Sequence, residues 1–145
     1  MRAIVQRINS CVLSVEGKEV SRCGFGYLVL LGFTQGDTRE KADYIVNRIV
    51  NMRIFRDGEG KLNLSLKEVG GQVMAVSNFT LYANPATGRR PDFSHALNHA
   101  EAKPLYDYTV NKFGELLGNV AQGAFGEHMH LETNLDGPVT VVFEK

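Results

Sequence analysis

From Arg2 to Ile8 the chain alternates, so that Ala3, Val5 and Arg7 share one face of a strand and Ile4, Gln6 and Ile8 the other. Arg7 therefore shares a face with apolar neighbours. It either snorkels at an edge or uses its fork of donors to fix a backbone loop. Cys11 to Val20 reads as a hairpin turning at Glu16-Gly17-Lys18. Phe25 to Phe33, FGYLVLLGF, is a nearly continuous apolar run and predicts a strand covered on both faces.

The period then changes. Asp37 begins a helix, where its carboxylate can cap free amides, and Glu40 three residues on completes a capping-box-like pattern. Ala42, Ile45, Val46, Ile49 and Met52 recur at helical spacing as the buried stripe. Asp57-Gly58-Glu59-Gly60 is a turn between short strands at Ile54-Phe55 and Leu62 to Leu66. Val73 to Val76 is an apolar strand bounded by Gly70-Gly71. Ser77, Asn78 and Thr80 follow it, around Phe79 and Leu81. Pro85, Gly88 and Pro91 then break regular structure around Arg89-Arg90. A buried strand that ends in hydroxyls and an amide beside a cationic loop is a candidate site on a rigid support. The plainer alternative is a core strand with a solvated turn.

A second helix starts near Pro104, which suits a first helical position. Leu105, Tyr108, Thr109, Lys112, Phe113 and Leu116 form its apolar face, and Gly118 ends it. Two strands finish the chain. In the first, His128, His130, Glu132 and Asn134 face one way and Met129, Leu131 and Leu135 the other; the second is Val139 to Phe143, with Asp136-Gly137-Pro138 between them. Many short strands with two helices and no repeat or linker predict one mixed α/β (α+β) domain over residues 1–145.

Composition narrows the function classes. A chain of 145 residues, 43% hydrophobic and 22% charged, can bury a core of its own. Sixteen Lys+Arg balance sixteen Asp+Glu, so phosphate binding must come from a local patch rather than a basic field. Cys11 and Cys23 form no CxxC; they read as two buried thiols in a reducing compartment, with one disulfide as the alternative. The start, MRAIVQRINS, lacks the apolar core of a signal peptide, and no stretch approaches the ~18 apolar residues needed to span a bilayer. A soluble cytosolic protein is expected.

Several chemistries can be weighed directly. His95 and His99 stand at helical i,i+4 spacing, and His128 and His130 share a strand face, as zinc ligands can. No Glu follows His95 in the HExxH arrangement, and solvated histidines are the better reading. There is no GxSxG elbow to activate Ser77, no spacing that makes Thr80 a nucleophile, and neither a P-loop nor a GxGxxG motif. A binding-only module for RNA or protein survives these exclusions. Gly137-Pro138 is either an ordinary turn between the last two strands or a rigid corner. As a corner it would present two carbonyl oxygens to an ammonium group.

Taken together, MRAIVQRI, LVLLGFTQGDT, RIFRDGEGKLNLSL, VSNFTLYA, GRRPDFS, GAFGEHM and DGPVT resemble the D-aminoacyl-tRNA deacylase family, formerly the D-tyrosyl-tRNA deacylases. These segments run in family order over nearly the whole chain. The resemblance implies a mixed, largely antiparallel sheet or barrel with two main helices. It also implies a cytoplasmic homodimer with composite active sites, which needs no metal or other cofactor. Its substrate would be aminoacyl-tRNA, from which it removes a D-amino acid or glycine by ester hydrolysis.

By the same resemblance Ser77, Phe79 and Thr80 are catalytic and, with Asn78, line the pocket for the terminal adenosine and the aminoacyl group. Phe125 and Met129 also bind substrate. Gly137 and Pro138 match the family's Gly-cisPro motif, which reaches into the partner subunit's pocket, holds the α-ammonium and rejects L residues; Arg7 matches the arginine that steadies it. Arg89 and Arg90 would meet tRNA phosphates. Either the tRNA 2′-hydroxyl assists water, or Thr80 attacks. The chain departs from the family pattern at Asn78 (usually Gln), at Leu135-Asp136 (usually Asn-Asp) and at Glu127-His128 (usually Ala-Asp). Two alternatives stand beside this reading. One is a tRNA-end binding protein without turnover; the other is a metal-assisted hydrolase using His128 and His130.

Overall fold

The expected N-terminal alternation continues into one long strand. β1 spans Arg2–Val15, with Ala3, Val5 and Arg7 all buried on the face turned toward the helices. The computed structural model describes residues 1–86 and 88–145. A turn at Glu16-Gly17 leads into β2 (Lys18–Cys23), as the hairpin pattern requires. β3 (Gly26–Gly32) lies antiparallel to β1, and β6 (Gln72–Ser77) parallel to β3. The short β7 (Ala121–Gln122) follows beside β6. The sheet order is β2-β1-β3-β6-β7. Its two ends approach one another where the Ser21 hydroxyl of β2 donates to the Gln122 carbonyl of β7 at 2.9 Å. The sheet is thus nearly closed, the barrel-like mixed α/β architecture that the resemblance implies.

Curling gives the sheet two apolar faces, which is why β3 and β6 read as continuous hydrophobic runs. Alternate residues point inward, where Ile8, Cys11, Leu13, Cys23, Leu28, Met74 and Val76 fill the curl. The intervening residues Tyr27, Val29, Leu31, Val73 and Ala75 point outward to the helices. Cys11 and Cys23 face each other across β1 and β2 as free thiols. Burial pushes both thiols up, and with Cys11 beside it Cys23 is pushed up to about 12. Thiolate is the reactive form. The native protein should therefore leave both thiols unreacted with Ellman's reagent at neutral pH and release two per chain when denatured; fast reaction of the native protein would contradict the burial.

α1 (Arg39–Asn51) buries Ala42, Ile45, Val46 and Ile49 as expected, but the stripe continues at Val50. Met52 is the extended residue that ends the helix. Asp37 is not the cap. Thr38 is, and makes no side-chain cap bond. The Asp37 carboxylate is instead occupied by the Met1 amino group, the Thr34 amide and Lys41. β4 (Arg53–Arg56) and β5 (Leu62–Ser65) form the expected separate hairpin.

α2 (His99–Leu117) begins five residues before Pro104, which lies inside the helix. Asn98 caps it, accepting from the Glu101 amide at 3.0 Å and donating to the Glu101 carboxylate at 2.8 Å, a reciprocal capping box. The amide that Pro104 lacks would have bonded the carbonyl of Ala100, an exposed residue whose carbonyl water can reach. The buried stripe is Ala102, Tyr106, Thr109, Val110 and Phe113. Leu105, Tyr108, Lys112 and Leu116 are only half-buried. The buried face is rotated from the expected one: Ala102, Tyr106, Val110 and Phe113 pack into the core, and the Tyr106 hydroxyl on that face donates to the Ala75 carbonyl on β6 at 2.9 Å.

The chain end is also different from the pattern. There is no reversal at Asp136-Gly137-Pro138. β8 (His130–Glu144) is one strand, antiparallel to β1 on both sides of that point. Leu135 pairs with Ile8 and Thr140 with Gln6, so Asp136 to Val139 bulge out opposite Arg7 alone.

Candidate active site

The site begins where β6 runs out of apolar residues. Val73 to Val76 are buried, and Ser77 and Asn78 emerge half-buried at the strand end. The Asn78 amide still donates to the Leu31 carbonyl of β3 at 2.7 Å, so its backbone is fixed by the sheet. Its side chain caps the 3-10 turn Phe79–Tyr82: the carboxamide oxygen accepts from the Thr80 amide at 3.1 Å and from the Thr80 hydroxyl. That leaves the amide nitrogen of Asn78 as the group it can offer a ligand.

These residues form one wall of a cavity of about 840 Å³. β3 supplies apolar lining with Leu28 and Leu30, and the loop after β7 adds Phe125 and Met129. Phe79, 56% exposed, and Phe93, 38% exposed, meet edge to face at 5.1 Å on its lining. The polar lining is Ser77, Asn78, Asn98, His99, Glu127 and His128, with neither Lys nor Arg among the lining residues. Such a cavity orients a ligand by donors and aromatic faces rather than by ion pairs. The buried hydroxyl behind it, Tyr106, is committed to the Ala75 carbonyl, and burial pushes it up to about 12, so it holds its proton at neutral pH.

The expected site residues fall into separate groups. Ser77, Asn78, Phe79, Phe125 and Met129 line the cavity; Thr80 is exposed beside it and reaches it only through Asn78. Arg89 and Arg90 are exposed on a loop closed by paired backbone bonds between Asn84 and Asp92, the residue immediately before Phe93. Thr87 of that loop lies outside the described residues.

Arg7, Gly137 and Pro138 form a different place. Arg7 is 5% exposed; its Nη1 donates to the Ile54 carbonyl of β4 at 2.5 Å. Its Nε lies 2.7 Å from Asp136 Oδ2, a charge contact without hydrogen-bond alignment. Asp136 leads directly into the Gly137–Pro138 bond, which is cis, and both residues of that bond are exposed. Within one chain this corner does not line the cavity.

Among the described residues no three His, Cys, Asp or Glu side chains are placed to share a metal ion. His95 precedes α2, His99 begins it, His128 lines the cavity, and His130 sits 3.7 Å from Glu132. No helix among them is long and apolar enough to cross a membrane. The sequence reading missed Phe93, Asn98, His99, Glu127 and His128 as lining residues. Asn98 and Glu101 were a legible capping signal that would have put His99 on the first turn of α2.

A strand-end cavity of this kind, aromatic at one side and with neither Lys nor Arg in its lining, is a small-molecule-sized pocket on a nearly closed sheet. The comparisons sharpen the class. The family model described as D-Tyr-tRNA(Tyr) deacylase matches residues 4–144. A protein of Clostridium acetobutylicum named D-aminoacyl-tRNA deacylase is 43% identical, over 99% of this chain and 97% of its own. One of the same name from Thermosipho melanesiensis is 44% identical over 99% and 97%. Among solved structures, the c-Myc DNA Unwinding Element Binding Protein superposes with a TM-score of 0.94 at 32% identity, covering 100% of this chain and 99% of that one. The chain belongs to the D-Tyr-tRNA(Tyr) deacylase family, whose curated members are named D-aminoacyl-tRNA deacylases.

Proposed function

We propose that the protein hydrolyses the ester between a D-amino acid, or glycine, and the terminal ribose of tRNA, and spares the L-aminoacyl ester. The observation that carries this reading is the cavity at the end of β6. Ser77, Asn78 and Phe79 stand there on a sheet-fixed backbone, in a chain of this family. The aminoacyl ester is already reactive, so donors that position it and receive charge on its carbonyl oxygen suffice. Water adds to that carbonyl, and the departing ribose oxygen takes a proton relayed by the neighbouring 2′-hydroxyl. Ser77 and the Asn78 amide nitrogen hold the reacting end, and Phe79 with Phe125 and Met129 frames it. The Thr80 hydroxyl is bonded to Asn78 and acts by orienting it. No metal or cofactor takes part.

The corner at Gly137-Pro138 completes the site from a second copy. It is exposed, and β8 carries Leu135 (45% exposed) and Val142 (61% exposed) on its surface while pairing only with β1. Two chains joined through β8 would bring each corner to the other's cavity. Backbone carbonyls there read the α-ammonium without reading the side chain. Each ~1.4 kcal/mol of clash against an L residue is worth tenfold in selectivity. Glycine, with nothing to clash, passes. Arg89 and Arg90 meet phosphates of the tRNA end, which fits a chain with no net charge. The place of action is the cytoplasm, where charged tRNA is found.

The test is hydrolysis of matched D-, L- and glycyl-tRNA by purified protein, with and without a chelator. Rapid loss of the D and glycyl esters, an intact L ester and no effect of chelator are expected. Tight binding of the tRNA end without hydrolysis would make it a binding protein on this scaffold. Inhibition by the chelator would move the chemistry to His128 and His130.

A further inference from the structure

The cavity wall formed by Phe125 is not held by its own loop alone. Tyr106 of α2 packs on Phe125 with ring centres 5.2 Å apart, and its hydroxyl donates to the Ala75 carbonyl at 2.9 Å with the Gly123 carbonyl 3.4 Å away. Lys103 Nζ lies 5.8 Å over the same ring. The third contact is the one that faces the cavity. His99 meets Phe125 edge to face at 4.9 Å and is itself a lining residue. It is the first residue of α2, fixed there by the Asn98–Glu101 capping box and, two residues earlier, by the Leu97 amide donating to the Phe33 carbonyl at 2.9 Å.

Gly126 is the complement of this ring. Its φ is +85°, and a Cβ there would lie 2.8 Å from His99 Nε2. The imidazole occupies the space that any side chain at 126 would fill. Ring and bare backbone together set how far the Phe125 wall stands from α2.

We infer that His99 is a positioning residue of this site: exposed on the cavity lining and seated against Phe125 and the bare Cα of Gly126, its ring sets the width of the cavity that receives the aminoacyl end. The inference rests on the proposed deacylase reading for its substrate, but its mechanism is packing and is read by binding. The role belongs to the ring face, so an aromatic residue replaces it and a polar chain of similar length does not.

The experiment compares wild type with His99→Phe, His99→Gln and His99→Ala. Affinity is measured by calorimetry for a non-hydrolysable, amide-linked D-aminoacyl-adenosine, with KM and kcat on D-aminoacyl-tRNA and a thermal melt of each variant. Loss of the edge-to-face contact should weaken binding about three- to tenfold in the Ala and Gln variants. The change should fall on Kd and KM more than on kcat, with melts that leave each variant folded at the assay temperature. The Phe variant should stay within about twofold of wild type. Equal affinity across all four proteins would overturn the inference. So would a Gln variant that binds as wild type while Phe does not, because the role would then be hydrogen bonding. Wild type that binds the analogue yet hydrolyses no ester would sink the deacylase reading and leave the His99 comparison standing; wild type that does neither would overturn both.

Discussion

Gly137→Ala is expected to slow hydrolysis of D-aminoacyl-tRNA by about a hundredfold, with a loss of discrimination against the L ester. At φ +127° an L side chain is rarely tolerated. The new Cβ would stand 2.6 Å from the Val139 backbone nitrogen and 2.8 Å from its Cγ2. A side chain could rotate away; a backbone nitrogen cannot. The backbone between residues 137 and 139 must therefore change its dihedral angles to separate them, and the carbonyls that the proposal aims at the α-ammonium are redirected with it. A misplacement of about 1 Å costs on the order of a hundredfold in rate. The strain itself costs roughly 1–3 kcal/mol. Because the corner is exposed and lies in a bulge paired on both flanks, the fold should survive. Single-turnover rates on D and L esters, with a thermal melt as control, make the measurement. Wild-type rates and wild-type selectivity would remove this corner from the site.

Arg7→Lys should do similar damage by a different route. The guanidinium is buried and joins three segments: its own strand, the Ile54 carbonyl of β4 and the Asp136 carboxylate beside Gly137. An ammonium on a flexible stem, without the rigid planar head, cannot keep the Ile54 bond and hold its charge against Asp136 at the same time. Leaving the Ile54 carbonyl short of a donor costs about 1–3 kcal/mol. The Asp136 side of the contact adds less, since that carboxylate is partly solvated and its pairing is screened. For a chain of this length the melting temperature should fall by roughly 3–10 °C. Activity should fall at least tenfold even where the protein is fully folded. Asp136→Asn keeps the Ile54 bond and should lose less stability than Arg7→Lys. If Arg7→Lys melts and turns over as wild type does, Arg7 does not steady the corner.

Much of this was legible in the residues. Period-two alternation placed Arg7 on the same buried face of β1 as Ala3 and Val5, and an i, i+3, i+4 pattern marked the α1 stripe up to Ile49. Glu16-Gly17 and Asp57 to Gly60 marked their hairpins through local turn chemistry, and the ordered motifs from MRAIVQRI to DGPVT pointed to the family. These features depend on a few neighbouring residues, whose spacing decides which face is apolar.

What only the tertiary structure decided depends on partners far along the chain. Asp136-Gly137-Pro138 has the composition of a reversal, yet the chain continues straight because both flanks of β8 pair with the same β1. The face of α2 is set by packing on a core drawn from distant segments, with Tyr106 bonded to Ala75, thirty-one residues away, contacts that helical periodicity does not encode. The cavity draws on β3, the end of β6, the start of α2, the loop after β7 and Leu131 of β8. Its donors at Ser77 and Asn78 stood out as polar residues at the end of an apolar run. His99 did not, because its place beside Phe125 exists only once α2 has packed across the sheet. Local spacing marks which elements form and, where the apolar stripe is strong as in α1, which face is buried. Long-range pairing settles the face of α2 and determines which buried and half-buried groups meet to make a site.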